Sequence, residues 1–227
     1  MIPLKDDNPT SSRPIVTYFL IGMCVVVFLM QLGSQSYRTG QLFYSYGLIP
    51  SVLMGHDQLP MDLYAVPAYL TIFSSMFMHG GWIHLIGNMW YMKIFADNIE
   101  DNLGSRNFII FYILCGIGAA MAQVLMDTAS QVPMVGASGA IGGVLGAYLI
   151  NHPNARVLVL IPYIILTIIK IRALYVLGFW FILQFISSGG GVAYAAHIGG
   201  FVSGMILILF FNKKTKRKTK VIKGPWS

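Results

Sequence analysis

Charged residues are scarce in this sequence, and their scarcity excludes most classes of soluble protein. Only 10% of its 227 residues are Asp, Glu, Lys or Arg, whereas 56% are hydrophobic, and the mean hydropathy is +0.68. A soluble domain carries roughly 25% charged residues. The sequence therefore predicts an integral membrane protein. Its net charge of +7 is concentrated between Lys213 and Lys223, a pattern typical of a solvated tail that does not indicate nucleic-acid binding.

Cysteine pairs and metal-binding motifs are also lacking, which excludes several kinds of chemistry. The two cysteines, Cys24 and Cys115, both fall inside apolar segments, so neither a disulfide framework nor a four-cysteine metal site is available. No His-Glu-x-x-His sequence is present for a zinc protease. Intramembrane aspartyl chemistry needs two Asp in membrane spans, and the predicted spans contain none. We expect no metal and no cofactor.

Long apolar runs are what the sequence has instead, and they predict an all-α, polytopic bundle of six transmembrane helices. The predicted spans are residues 15–32, about 81–95, 108–126, 138–150, 173–186 and 195–211. We expect residues 1–14 to be a cytoplasmic tail, 15–211 the membrane domain, and 212–227 a basic cytoplasmic tail. Residues 157–169, interrupted by Pro162, are interpreted as a connecting or interfacial segment. We expect no cleaved signal peptide, and the lack of an internal repeat argues against a transporter.

The basic residues predict how the chain is oriented. With six spans both termini lie on one side, and that side receives Lys5, Arg13, Lys93, Arg106, Arg156, Lys170, Arg172 and the C-terminal run. Only Arg38 falls on the other side. Cytoplasmic loops carry the excess of Lys and Arg, so we expect both termini in the cytoplasm. Spans two, four and six then each begin at the outer side.

Ser138 begins the fourth span in a stretch unusually rich in glycine. Ser138, Gly142 and Gly146 share one helical face, and such small residues let a neighbouring helix approach closely. From Ser138 to His152 a helix measures about 21 Å at ~1.5 Å per residue, which is less than the ~30 Å hydrocarbon core. We therefore expect Ser138 below the outer surface, beside non-helical backbone that is buried by protein or reached by water.

His197 begins the sixth span beside a second glycine face, formed with Gly200 and Gly204. Two such faces can pack closely enough for the imidazole to accept the Ser138 hydroxyl proton, which activates a weak nucleophile. Ionisable groups within a membrane are costly and usually functional, although a lone buried histidine can also be a core residue. Because spans four and six contain no Asp or Glu, the pattern predicts a Ser–His dyad without a third acidic member.

His84 and Asn88 lie four residues apart on one face of the second span. Their side chains could donate hydrogen bonds to an oxyanion, or could simply join helices to one another in lipid. His79 precedes this span and is interpreted as an anchor for the loop.

Together, in this order and spacing, these motifs resemble the rhomboid intramembrane serine proteases of the basic six-helix prokaryotic type. The resemblance covers nearly the whole chain. It rests on residues 136–139 (Gly-Ala-Ser-Gly), on residues 196–201 (Ala-His-Ile-Gly-Gly-Phe) with Gly204, and on His79, His84 and Asn88. Residues 100–104 (Glu-Asp-Asn-Leu-Gly), Tyr112 and Gly116 add to it.

The resemblance implies a role for each motif residue. Ser138 would be the nucleophile and His197 the general base and acid. His84, Asn88 and the Ser138 backbone N–H would form the oxyanion hole, and Glu100 would be structural at the inner end of span two. The remaining motif residues would have structural roles, namely His79, Gly136, Gly139, Gly200 and Gly204.

Two features depart from the family pattern. Family members commonly carry an aromatic residue four positions after the nucleophile, where it stacks on the catalytic histidine, but Gly142 stands there in this sequence. What orients His197 is therefore left open. The Trp-Arg pair frequent in the first outer loop is also missing, and Tyr37-Arg38 is a poor substitute.

The sequence thus predicts an endopeptidase of a prokaryotic cell membrane that cleaves other transmembrane proteins near the outer face. Such substrates would reach Ser138 laterally from the lipid, and span five, with Phe179, Trp180 and Phe185, is the least tethered helix. The resemblance implies small residues at the cleavage site and helix-destabilising residues nearby. The alternative is a catalytically inactive rhomboid-like protein that binds membrane clients, although such relatives usually lack the serine or the histidine. The oligomeric state is left open.

Overall fold

The computed structural model describes residues 1–38, 40–162, 166–186 and 193–211, without the side chains of residues 162 and 166. The expected basic tail, residues 212–227, lies outside this part of the chain. The helices are α1 (Ile15–Gly33), α2 (Gln35–Arg38), α3 (Gln41–Tyr46), α4 (Pro50–Leu53), α5 (Thr71–Ser74), α6 (Trp82–Leu103), α7 (Ser105–Met126), α8 (Ser138–Asn151), α9 (Ala173–Ile186) and α10 (Tyr194–Phe211). Short 3₁₀ turns at Ala68–Leu70 and Ser75–Phe77 flank α5.

The six longest of these helices coincide with the six predicted spans, which confirms a predominantly helical membrane bundle. α1, α7 and α10 are each long and apolar enough to cross a membrane, and α8 and α9 are shorter apolar helices. The 14 residues of α8 rise only about 21 Å at ~1.5 Å per residue. Its first residue, Ser138, therefore cannot lie at one membrane surface while its last lies at the other.

α6 continues beyond the end predicted for the second span at residue 95. It runs to Leu103 and stops at Gly104, whose φ of +74° ends the helix. Acidic residues follow position 95, and two of them, Glu100 and Asp101, are bound by the N-terminal segment and α1. Glu100, only 1% exposed, accepts hydrogen bonds from the backbone N–H groups of Val16 (3.0 Å) and Thr17 (2.8 Å). A carboxylate of α6 thus caps the first turn of α1, where N–H groups lack intrahelical acceptors.

The glycine faces of α8 and α10 pack against each other at backbone contact distance. A Cβ atom built on Gly200 would lie 1.9 Å from the Gly139 carbonyl oxygen, and one on Gly204 would lie 1.9 Å from that of Gly143. On α8, a Cβ at Gly146 would lie 2.1 Å from the carbonyl oxygen of Phe201. The predicted close packing is therefore present, and a side chain at these positions would force the helices apart.

A three-stranded antiparallel sheet at the other end of α8 was not predicted. Its strands are β1 (Ile2–Asp6), β2 (Arg156–Pro162) and β3 (Leu166–Arg172), in the order β1-β2-β3. Most of β2 and β3 falls in residues 157–169, which were expected to be a connecting or interfacial segment. Val157 and Val159 are both fully buried while their neighbours are not, so β2 buries alternate residues against the bundle, as a half-buried strand does.

The first 14 residues, expected to be a cytoplasmic tail, are bound to the helical bundle. β1 pairs with β2, and the Trp90 indole N–H donates to the Pro3 carbonyl oxygen (2.6 Å). Asp101 accepts hydrogen bonds from the backbone N–H groups of Ser11 (3.0 Å) and Ser12 (2.9 Å). These contacts join the N-terminal residues to α6 and to β2. The polarity of residues 1–14 contains no information about such distant partners.

Candidate active site

The loop before α8 brings the Ser138 side chain next to the start of α6. Leu48 and Met134 exchange two backbone hydrogen bonds (3.0 and 2.8 Å), and Gly136 N–H donates to the Ser75 carbonyl oxygen (2.8 Å). These bonds pair backbone groups of a non-helical segment, as backbone inside a membrane would require. The predicted irregular segment before Ser138 is thus held by protein on both sides.

Gly136 is needed at its position for two reasons. Its φ of +128° is a conformation that other residues rarely adopt. A Cβ built there would also lie 2.7 Å from both Cε1 and Nε2 of His84, and 3.5 Å from the Ser138 Oγ. The glycine therefore allows the His84 ring and the Ser138 hydroxyl to face the same small space. Gly139, one residue after Ser138, lies against Ala119, whose Cβ would be 2.6 Å from an added Cβ.

His197 reaches the same region from the first turn of α10. The preceding N–H, that of Ala196, donates to the Gln123 Oε1 of α7 (3.2 Å). A Cβ built on Gly142 of α8 would lie 3.0 Å from the His197 carbonyl oxygen. The backbone of α10 thus packs tightly against α8 at Gly142.

The structure brings Ser138, His197, His84 and Asn88 together around one cavity of about 820 Å³. A smaller cavity of about 230 Å³ is lined by the same four residues. No hydrogen bond joins Ser138 to His197 in the part of the chain that the structure describes. Hydrogen bonds of this kind are often long in unliganded proteins and tighten when substrate binds.

The hydrogen bonding of His84 determines which ring nitrogen can donate into the cavity. Its Nδ1 accepts a hydrogen bond from the Gly80 backbone N–H (3.3 Å). A neutral imidazole carries one proton, so the proton of His84 lies on Nε2, the atom next to Gly136 and Ser138.

Asn88 presents an unused donor at the same site. Its side chain is 8% exposed, and its Nδ2 is buried without a hydrogen-bond partner among the described residues. A buried amide without a partner is costly and calls for an explanation. A ligand oxygen in the cavity would supply the missing acceptor.

His79 does not line either cavity but holds the loop before α6. Its N–H donates to the Gln31 Oε1 (3.1 Å), its carbonyl accepts from the Gln31 Nε2 (3.2 Å), and its Nδ1 pairs with the Phe77 carbonyl oxygen (3.2 Å). Its ring packs edge-on against that of His84, with centroids 5.1 Å apart. These contacts agree with the interpretation of His79 as a loop anchor.

Three glutamines that support the site were missed by the sequence analysis. Gln31 of α1 binds His79, Gln123 of α7 binds the start of α10, and Gln184 of α9 contacts the His197 ring at 2.7 Å. Each is the only glutamine in its helix. A lone amide in an apolar membrane helix is itself a signal, because it needs a polar partner in lipid.

Comparison with known proteins identifies the family. The family model of the Rhomboid domain matches residues 67–214. The Bacillus subtilis protein named Rhomboid protease GluP is 28% identical over 197 residues, which cover 86% of this chain and 34% of that protein. RHOMBOID-like protein 5 of Arabidopsis thaliana is 33% identical over 78 residues, 34% of this chain and 25% of the relative.

A third relative is the mitochondrial RHOMBOID-like protein 6 of Arabidopsis thaliana, 31% identical over 139 residues, or 60% of this chain and 41% of the relative. The chain thus spans between a quarter and about two fifths of the length of these three proteins. All the residues around the cavity on α6, α8 and α10 fall inside the matched family domain. Because that domain covers well over half of the chain, this integral membrane protein belongs to the rhomboid family.

Proposed function

We propose that the protein is an intramembrane serine endopeptidase in which Ser138 is the nucleophile and His197 the general base. The observation that carries the proposal is the cavity whose wall includes Ser138, His197, His84 and Asn88. A hydroxyl, a base and two hydrogen-bond donors around one space are the groups that acyl transfer to a serine requires. The name of the Bacillus subtilis relative, a rhomboid protease, supports the same class of activity.

The proposed reaction proceeds through an acyl-enzyme. Ser138 Oγ passes its proton to His197 Nε2 and forms a bond to the carbonyl carbon of the scissile peptide. When the C–N bond breaks, the imidazolium gives the proton to the departing amine. A water molecule then attacks the ester carbon while His197 takes one of its protons. The ester C–O bond breaks, and His197 returns the proton to Ser138 Oγ.

Three donors would hold the oxyanion of each tetrahedral intermediate. His84 has its proton on Nε2, facing the Ser138 hydroxyl, and Asn88 has a buried Nδ2 without a partner among the described residues. The third is the backbone N–H of Ser138, which belongs to the first turn of α8 and so has no intrahelical acceptor. Donors aimed at a charge that develops only during reaction lower the barrier without tightening substrate binding.

Substrates would reach Ser138 through the side of the bundle between α6 and α9. The smaller cavity is lined by Ile83, Gly87 and Tyr91 of α6 and by Trp180 of α9, as well as by Ser138. Ile83 is 90% exposed, so this groove opens on the lipid-facing side of the bundle. Transmembrane segments, which cannot enter from water, are the partners that such a groove fits.

The proposed orientation has both termini in the cytoplasm of a prokaryotic cell and the cavity near the outer face. The distribution of Lys and Arg supports it, as does the similarity to a bacterial protein over most of this chain. A reporter domain fused after Ser227 should be cytoplasmic, and one inserted at Gly40 should be external. A C-terminal reporter found outside the cell would overturn this orientation.

The dyad is tested with the purified protein in detergent. Ser138→Ala and His197→Ala should each abolish cleavage of a model transmembrane substrate while the protein stays folded, and Ser138→Ala should also abolish labelling by a fluorophosphonate probe. The double variant should lose little more than either single one, because residues that act as a unit are not additive. Robust cleavage by either single variant would refute the assignment.

Lateral access is tested by filling the groove at Gly87. A Cβ there meets nothing within 4 Å, so the backbone of α6 accepts a side chain at this position, and Gly87→Trp adds bulk to the groove. It should slow cleavage of transmembrane substrates at least tenfold and leave fluorophosphonate labelling of Ser138 nearly unchanged. Gly22→Trp on α1, where a Cβ also meets nothing within 4 Å, is the matched control and should alter neither. Equal effects of Gly87→Trp on both assays would show that the groove is not the route.

A further inference from the structure

The family pattern leaves the orientation of His197 unexplained in this chain, because Gly142 offers no ring to stack on it. A Cβ at Gly142 would already lie 3.0 Å from the His197 carbonyl oxygen, so α8 and α10 pack tightly at this position. Two groups of α9 contact the imidazole. They are the Trp180 ring, whose centroid lies 5.8 Å from that of His197, and the Gln184 side chain.

Gln184 is the closer and more directional of the two partners. It is 9% exposed, and its Oε1 lies 2.7 Å from the His197 Nδ1. Its Nε2 donates to the Trp180 carbonyl oxygen one turn earlier in α9 (2.8 Å). The second bond decides how the amide is turned, since the opposite orientation would set two oxygens against each other.

The orientation of the amide determines the tautomer of His197. An amide oxygen only accepts hydrogen bonds, so the Nδ1 of His197 must carry the proton. In the neutral ring the proton is then absent from Nε2, whose lone pair is free to accept the proton of the Ser138 hydroxyl. The opposite tautomer would present N–H to the hydroxyl and could not act as a base.

We propose that Gln184 is a positioning residue that holds His197 in the tautomer and ring orientation needed for general-base catalysis. This inference rests on the proposed function of the same site. Gln184 acts through His197 and does not touch the reacting atoms. Trp180 also helps to hold His197, because its ring covers one side of the imidazole and stacks on Phe201 of α10, with centroids 6.0 Å apart.

Two further side chains lie near the His197 ring. His84 of α6 lies across the cavity, and the Tyr194 ring packs edge-on at 6.3 Å. Among the described residues that line the two cavities there is no carboxylate. The group that accepts from the His197 Nδ1 is the neutral amide oxygen of Gln184, at 2.7 Å.

The test compares three variants of the full-length protein on one transmembrane substrate. For each variant kcat, KM and the pH dependence of the rate are measured, with rates expressed per folded enzyme. Gln184→Leu removes the acceptor at similar size, and Gln184→Glu restores an acceptor and adds charge. Gln123→Leu is the matched control, because it removes a glutamine oxygen that holds the backbone of α10 without touching the ring.

Gln184→Leu should lower kcat about tenfold, the value of one ordinary hydrogen bond, with KM within twofold. Gln184→Glu should recover part of this loss and move the acid limb of the profile to higher pH by about one unit, since a nearby negative charge favours the imidazolium. Gln123→Leu should leave the acid limb where it is.

Wild-type kcat and an unmoved acid limb in both Gln184 variants would overturn the proposal. The proposal would also be overturned if Gln123→Leu lowered kcat as much as Gln184→Leu does and Gln184→Glu did not move the pH–rate profile. That combination would mean that Gln184 has only a structural effect. If Gln184→Leu does not fold, the shift of the limb in Gln184→Glu decides alone. Cleavage that survives Ser138→Ala would instead defeat the proposed function, so the two failures are distinguishable.

Discussion

The backbone contact between α8 and α10 makes a sharp prediction for Gly204→Ala. The added Cβ would lie 1.9 Å from the Gly143 carbonyl oxygen, 2.5 Å from its carbon and 2.6 Å from its Cα. These are backbone atoms, so no side-chain rotation can relieve the overlap. An ordinary contact needs about 3.5 Å, and the two helices must therefore part by roughly 1.5 Å.

The magnitude follows from two opposing terms. Overpacking of this kind costs about 1–3 kcal/mol, and the rigid backbone puts this case at the upper end. Replacing glycine by alanine inside a helix recovers about 1 kcal/mol. A net loss of about 2 kcal/mol corresponds to a fall in Tm of roughly 4–8 °C for a chain of this length. Displacement of His197 relative to Ser138 by about 1 Å should also lower turnover about 10²-fold.

Thermal unfolding in detergent and cleavage of a transmembrane substrate measure the two effects. Gly22→Ala on α1 is the control, because its Cβ meets nothing within 4 Å. It should keep or raise Tm and leave turnover unchanged. If Gly204→Ala behaved like Gly22→Ala in both assays, the close packing of the glycine faces would not be what aligns the proposed dyad.

Two further predictions separate stability from turnover. Glu100→Ala leaves two N–H groups of the first turn of α1 without their acceptor in a buried site. The free energy of unfolding should therefore fall by about 2 kcal/mol or more, while kcat per folded enzyme stays unchanged. A loss of kcat at normal Tm would contradict a structural role. His84→Ala and Asn88→Ala should each lower turnover by about 10²- to 10³-fold, the usual effect of losing an oxyanion donor, with KM nearly unchanged. Tm should also change little, because an interhelical hydrogen bond in a membrane contributes on average only about 0.6 kcal/mol. Early unfolding with normal turnover of the folded fraction would show that these two residues only join helices.

The sequence by itself determined the features that depend on neighbours along the chain. Six apolar runs predicted six helices, and the structure has helices at all six positions. The spacing of Gly142, Gly146, Gly200 and Gly204 predicted two faces that pack closely, and the structure shows backbone contacts at these faces. Periodicity and residue size are local properties of a helix, so they can be read without knowing what lies opposite.

Tertiary structure alone decided which distant groups meet. β1 pairs with β2 across more than 150 positions of sequence, and Asp6 accepts a hydrogen bond from the Tyr148 hydroxyl (2.5 Å). Local polarity suggested a cytoplasmic tail at residues 1–14, because it carries no information about a partner strand. In the same way, the acidic residues after position 95 suggested the end of a helix, although Glu100 is the cap of another one.

The partner of His197 was decided in the same way. The sequence showed that an aromatic residue was missing at position 142, where the glycine lets α10 approach α8 closely. The imidazole is then met from a different helix, by Trp180 and Gln184 of α9. No rule of spacing within α8 or α10 could identify them, because a hydrogen bond between helices depends on how the helices are rotated and how far apart they lie.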